Sequence, residues 1–243
     1  MPARAPRRPR RATHSREQIV ETAIAVLDRE GAAGLTLRGL AAELGGGLGS
    51  VYWYVEGKRE LMELCCDVLF GRAVDLGVGD AEFSSPPMDV DLDGLPEAVQ
   101  HGAVGVRRLA MALFGELMAH PWLAAQSQLV GAGRVEGMRF WDALGRQLAV
   151  MGLSPQQQFI GSTAVIGYVM GVSAEMMSQD AHADPGTSKE EQLRTFADSW
   201  QGPEYEGLDW LRSIGEEFAA HDDTEQFAGG LDLLVTGLVH RAV

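Results

Sequence analysis

Two groups of residues in this chain have types and spacings that could do chemistry. The first is the amino-terminal arm, whose first sixteen residues hold six arginines and no acidic residue. Guanidinium groups on such a segment suit a polyanion, and Arg7, Arg8, Arg10 and Arg11 are close enough in sequence to act together. The second is the run Ser50, Tyr52, Trp53, Tyr54 and Lys58, where hydroxyl, indole and ammonium groups are interleaved with Val51 and Val55. The two valines, at i and i+4, can hold one helix face on a core while their polar and aromatic neighbours project elsewhere. A helix that enters the major groove of DNA must meet both demands.

Other chemistries find no comparable arrangement. The sequence lacks G-x-S-x-G, G-x-x-x-x-G-K and H-E-x-x-H, and no dinucleotide fingerprint follows a strand. His101 or His120 with nearby carboxylates could be posed as acid and base, but any helical chain of this size offers such pairs. The six histidines show no zinc-ligand spacing, so neither a metal nor a cofactor is expected. Cys65 and Cys66 are adjacent; helical neighbours diverge by about 100° and cannot close an unstrained disulfide. Packing is the expected role, and a chain without a disulfide framework fits a reducing cytoplasm.

The net charge of −14 looks unsuited to nucleic acid until it is divided by position. Residues 1–60 carry ten basic against seven acidic side chains, and residues 61–243 carry ten against twenty-seven. The division suggests a DNA-facing end on a body that repels phosphate; an acidic protein with a solvated basic tail is the alternative reading. Apolar residues make up 46% and no unbroken run of about 18 of them occurs, so a soluble chain with a large core and no membrane span is expected.

The elements that must position these groups are helical. Residues 1–14 are rich in Pro and Arg and are expected to be unstructured in isolation. Ser15 with Gln18 forms a capping box, and Ile19, Val20, Ala23, Ile24 and Leu27 recur at helical spacing until Gly31. Thr36 can cap a second, short helix ended by Gly45-Gly46-Gly47. A third is expected from about Leu48 to Val55, and a fourth from about Lys58 to Val74. After an acidic loop over 77–96, Pro96 opens a helix to Ala119, and His120-Pro121-Trp122 breaks it. Further helices are expected over 131–151, from Ser154-Pro155-Gln156-Gln157 to about Met177, after Ser188, and from Thr224. The reading is all-α, with a three-helix helix-turn-helix domain over 15–60 and a helical effector-binding and dimerisation domain over 61–243.

The run GLTLRGLAAELGGGLGSVYWYVEGKRELMEL (Gly34–Leu64) resembles the signature of the TetR family of repressors. It has the TLR, the LA-x-x-LG turn, the VYWYV recognition segment and the GK-x-EL start of a connecting helix. The body, from MAHPW to IGYVMG, resembles the family's effector domain more loosely. The resemblance implies a homodimer on a palindromic operator of double-stranded DNA, released by a small molecule. A helical small-molecule binder or enzyme without a DNA role is the alternative. Carried over residue by residue, the family's contacts fall on Arg38, Ser50, Tyr52, Tyr54 and Lys58, with Thr36, Leu48 and Gly49 as further candidates; Trp53 is open between packing or a phosphate-edge contact and base reading. Arg38 could read guanine bidentately, whereas Tyr52 and Lys58 match phosphate anchors. Glycines at 46, 47 and 49 depart from the pattern. A glycine in a helix costs about 1 kcal/mol relative to alanine, so sparse base reading is expected, with the arginine arm reaching the adjacent minor groove.

Candidate effector contacts, each also a candidate for plain core, are Phe70, His101, Phe114, Met118, Trp122, Met138, Trp141, Phe159 and Ile166. A pocket lined this way suits a bulky, largely apolar molecule. By register, the family's metal-site histidines fall on Val74 and near Ser127, so metal-dependent tetracycline binding is not expected. The interface is expected on Gly161, Ala164, Gly167 and Gly171 of one helix with Leu231, Leu234, Val235 and Leu238 of the last.

Overall fold

The computed structural model describes residues 14–79, 85–126, 134–181 and 186–243, and it is all-α throughout them. The arm residues Arg7, Arg8, Arg10 and Arg11 lie outside the described residues.

Local hydrogen bonds start the helices where the sequence places them. Helix α1 (Arg16–Gly34) opens with a complete capping box: Ser15 Oγ accepts from Gln18 N, and Gln18 Oε1 accepts from Ser15 N. It breaks at Gly31, whose φ of 69° only glycine adopts without strain. Thr36 Oγ1 accepts from Gly39 N at 3.0 Å and caps α2 (Leu37–Glu43). Gly45 turns with φ 68°, and Gly47 precedes α3 (Leu48–Val51) without any side-chain cap. The third helix is therefore one turn, shorter than the expected span to Val55. The chain continues as a turn through Tyr54, still anchored by Val51 and Val55, both buried.

Helix α4 (Lys58–Val78) runs from the amino-terminal helices into the body. Its carboxyl end is capped by Arg108, which donates to the carbonyls of Leu76 and Gly79. Pro96 is the cap of α5 (Glu97–Ala119), one position earlier than expected. This helix is the spine of the body and packs against α4, a short α6 (Pro121–Ala124), α7 (Val135–Val150), α8 (Pro155–Ala181) and the last helix, α12 (Asp223–Ala242). Gly102 allows part of this, since a Cβ there would lie 2.6 Å from the carbonyl oxygen of Gln147 on α7.

One apolar core runs unbroken from Ile19 on α1 to Val239 on α12. The expected boundary at residue 60 falls in the first turn of α4, a helix whose buried residues include Leu61, Cys65 and Phe70. A second, small core was not foreseen. Trp200, Ala197 and Ala219 pack together where α9 (Lys189–Ser199), α10 (Asp209–Ser213) and α11 (Gly215–Ala220) form a satellite before α12.

Candidate nucleic-acid interface and effector cavity

Helices α1, α2 and α3 form a tri-helical unit in which α2 and α3 meet through the glycine turn. The inner face is apolar: Ile19, Leu27, Leu40 and Val51 are wholly or almost wholly buried. The outer face carries Thr36, Arg38, Gly49, Tyr52 and Trp53, all exposed, with Leu48 and Ser50 half-buried beside them. Trp53 is 84% exposed, which no packing role explains.

Hydrogen bonds within the unit limit what each group can offer a ligand. Thr36 Oγ1 serves as an acceptor in its cap, so its proton is left to donate. Ser50 is the reverse: its hydroxyl donates to Gly47 O at 2.6 Å, leaving only lone pairs for an outside donor. Lys58 Nζ donates to Ala32 O at 2.5 Å and ties α4 to the end of α1, with two N–H groups to spare. Tyr54 behaves differently from its expected backbone-contacting role. It is half-buried, and its hydroxyl donates to the carbonyl of His14 at 2.5 Å. This bond fastens the root of the arginine arm to the recognition segment. The arm's exit is thus held next to the α3 turn, where a Cβ on Gly46 would stand 3.0 Å from Ser50 Oγ and 3.1 Å from His14 Nε2. Sequence reasoning missed His14, because a main-chain carbonyl leaves no signature.

The expected effector residues do not converge. Phe70 and Phe114 are core: Phe70 meets Phe140 edge to face at 5.8 Å, and Phe114 stacks on Phe227 at 3.8 Å. Met118 and Ile166 are half-buried against that core, while His101, Met138, Trp141 and Phe159 are exposed. Trp141 is instead held by its indole N–H on Ser162 Oγ at 2.9 Å. Of these residues Trp122 alone lines an apolar cavity of about 600 Å³ between α1, α6 and α8. Across it, Trp122 Nε1 donates to Asp28 Oδ1 at 2.7 Å. Neither Asp28 nor the cavity was anticipated, since a lone carboxylate in α1 has no motif around it.

The interface residues also divide. Ala164, Gly167 and Gly171 are exposed along α8, as a close-packing face requires. Gly161 is not: a Cβ there would lie 2.8 Å from Leu238 of the same chain. Leu231, Val235 and Leu238 are buried in their own subunit, with Leu234 half-buried. The open face of α12 instead presents Gly229, Leu233, Thr236 and Gly237. Helix α8 is long and apolar enough by composition to cross a membrane, yet only 33% of that stretch is buried within the subunit. Cys65 and Cys66 are both buried, and burial pushes the Cys66 thiol up to about 12 and raises Cys65 as well. These thiols are packed and protonated, unlike reactive ones.

A helix-turn-helix with a solvent-facing arginine and aromatic surface, set on a helical body, defines a DNA-reading regulator. The comparisons agree. A family model for the tetracyclin repressor-like C-terminal domain matches residues 103–242. The chain is 28% identical over 97% of its length to HTH-type transcriptional repressor DrrR1 of Streptomyces coeruleorubidus, covering 81% of that protein. It superposes with a TM-score of 0.75 on the transcriptional regulator SCO7222, a TetR from Streptomyces coelicolor, at 30% identity over 95% of this chain and 100% of that one. It also shares the fold of ActR from Streptomyces coelicolor in complex with actinorhodin, with a TM-score of 0.68, 24% identity and coverage of 94% and 98%. The chain belongs to the TetR family of transcriptional regulators.

Proposed function

We propose that this protein is a cytoplasmic, homodimeric repressor that binds a palindromic operator through residues 15–60 and is released by a small, largely apolar effector bound by the body. The observation that carries the reading is the exposure of Arg38, Tyr52 and Trp53 on a tri-helical unit whose buried residues are apolar. An 84% exposed tryptophan and an exposed guanidinium on the same small unit fit a surface that meets a partner. Arg38 supplies base reading, Tyr52, Trp53 and Lys58 supply backbone register, and Ser50 serves as an acceptor only. The arm adds minor-groove contact from an exit that Tyr54 fixes. The similarity to a named repressor over nearly the whole chain supports repression as the mode, and the complex of ActR with actinorhodin supports a small-molecule effector.

Selection of bound fragments from genomic DNA, followed by gel shift on the recovered sites, tests this. A palindromic consensus with two half-sites about one helical turn apart is expected. Failure to retain any fragment at low salt would overturn the repressor reading.

A further inference from the structure

The one apolar cavity described above lies at the joint between the DNA-reading unit and the body. The end of α1 forms one wall with Leu27 and Asp28, α6 another with Pro121 and Trp122, and α8 contributes Met177. Its volume of about 600 Å³ is in the range of small-molecule sites, roughly 300–1,000 Å³. Asp28 is the only ionisable residue among the described lining.

Asp28 is also the tie across the joint. Its Oδ1 accepts from Trp122 Nε1 at 2.7 Å and from His120 Nδ1 at 2.8 Å. An ionised carboxylate has no hydrogen to give, so the imidazole carries one on Nδ1. Both bonds land on one oxygen, and no described residue bonds the other. The other ring nitrogen of His120, Nε2, lies 3.7 Å from Glu116 Oε2, a carboxyl whose pKa is raised by its burial. Helix α1 therefore meets α6 through two hydrogen bonds on one carboxylate oxygen at the edge of an apolar space.

We propose that this cavity binds a planar, mostly apolar molecule bearing a cationic or N–H donor group, held through Asp28, and that its entry loosens the tie between α1 and α6. Apolar walls supply affinity by burial. Asp28 is exposed at the rim of this space, and a carboxylate there favours a donor or a cation over an anion. A guest that bonds Asp28 competes with Trp122 and His120, so its binding and the seating of the DNA-reading unit become linked. The regulatory half rests on the repressor reading above; the binding half does not.

The full-length dimer, without DNA, is titrated with 1-pyrenemethylammonium and with 1-pyreneacetate, which share a ring system and differ in charge. Saturable transfer of the ammonium probe to an apolar environment is expected from the pyrene emission bands, with the acetate weaker by about tenfold or more. Asp28→Asn keeps an acceptor for Trp122 and His120 and should abolish that preference. Ala125→Trp, at an exposed rim position, should weaken both probes, with thermal melting confirming that each variant folds. No binding of the ammonium probe, or equal binding of both probes to wild type, would sink the site. An undiminished preference in Asp28→Asn would do the same. For the linkage, Asp28→Ala removes both bonds and should weaken operator binding several-fold; unchanged operator affinity overturns it. Should wild type retain no genomic fragment, the repressor reading fails while the probe result stands.

Discussion

At the scale of single residues, exposure and hydrogen-bond capacity separate readers from supports. Trp53 has no packing to lose, so Trp53→Ala should leave the melting temperature unchanged and weaken operator binding. An unchanged affinity by fluorescence anisotropy would remove it from the interface. Arg38→Ala should cost about 1–3 kcal/mol and relax preference at one base position if the guanidinium reads guanine. A uniform loss across operator variants, with the salt slope lower by about one, would make it a phosphate contact instead. Ser50 is already constrained, because its only proton is given to Gly47. Tyr54, half-buried, holds the arm's root by one bond to His14.

At the scale of elements, the joints rest on a few charged groups. Arg107 on α5 is buried and bonds Asp232 on α12 at 2.7 Å while also donating to the carbonyls of Pro86 and Pro87. Asp232 accepts in turn from the main-chain N–H of Asp89. One ion pair thus fastens the loop before α5 to the core and to the last helix. Asp232→Ala leaves a buried guanidinium without its counter-charge and should destabilise the fold by about 3–5 kcal/mol, read by urea unfolding. A loss below about 1 kcal/mol, the level of an exposed pair, would mean that water reaches the site. The surface pairs are different: Arg72 with Glu21 and Arg29 with Glu43 orient α1 against its neighbours but are solvated, and little stability hangs on them.

At the scale of the whole molecule, two features govern DNA binding. The first is the interface. Leu233 is 77% exposed on α12, and Ala164, Gly167 and Gly171 leave a bare apolar stripe on α8. We propose that a second copy covers these faces. Leu233→Lys should shift sedimentation from dimer to monomer and abolish operator binding; a dimeric variant with full affinity would place the interface elsewhere. The second is the arm. Deleting residues 2–11 removes Arg4, Arg7, Arg8, Arg10 and Arg11, and should weaken operator binding and flatten its dependence on salt. An unaltered slope would leave the arm without a role in binding.

What the sequence by itself determined is local. Ser15 with Gln18, Thr36 with Gly39 and Ser154 with Gln157 each close hydrogen bonds across three residues, so helix starts were legible from spacing alone. The recognition segment was legible for the same reason, its valines and aromatics lying within one short run. Only the tertiary structure decided which apolar face of α12 turns inward: Leu231 and Val235 fill the subunit's own core, and Leu233 is left exposed. Periodicity defines a face without naming what covers it. The same holds for the bonds that matter most to the joints. Tyr54 meets His14 across 40 positions, and Trp122 meets Asp28 across 94. Nothing in either neighbourhood announces its partner, because each contact exists only once the helices have packed.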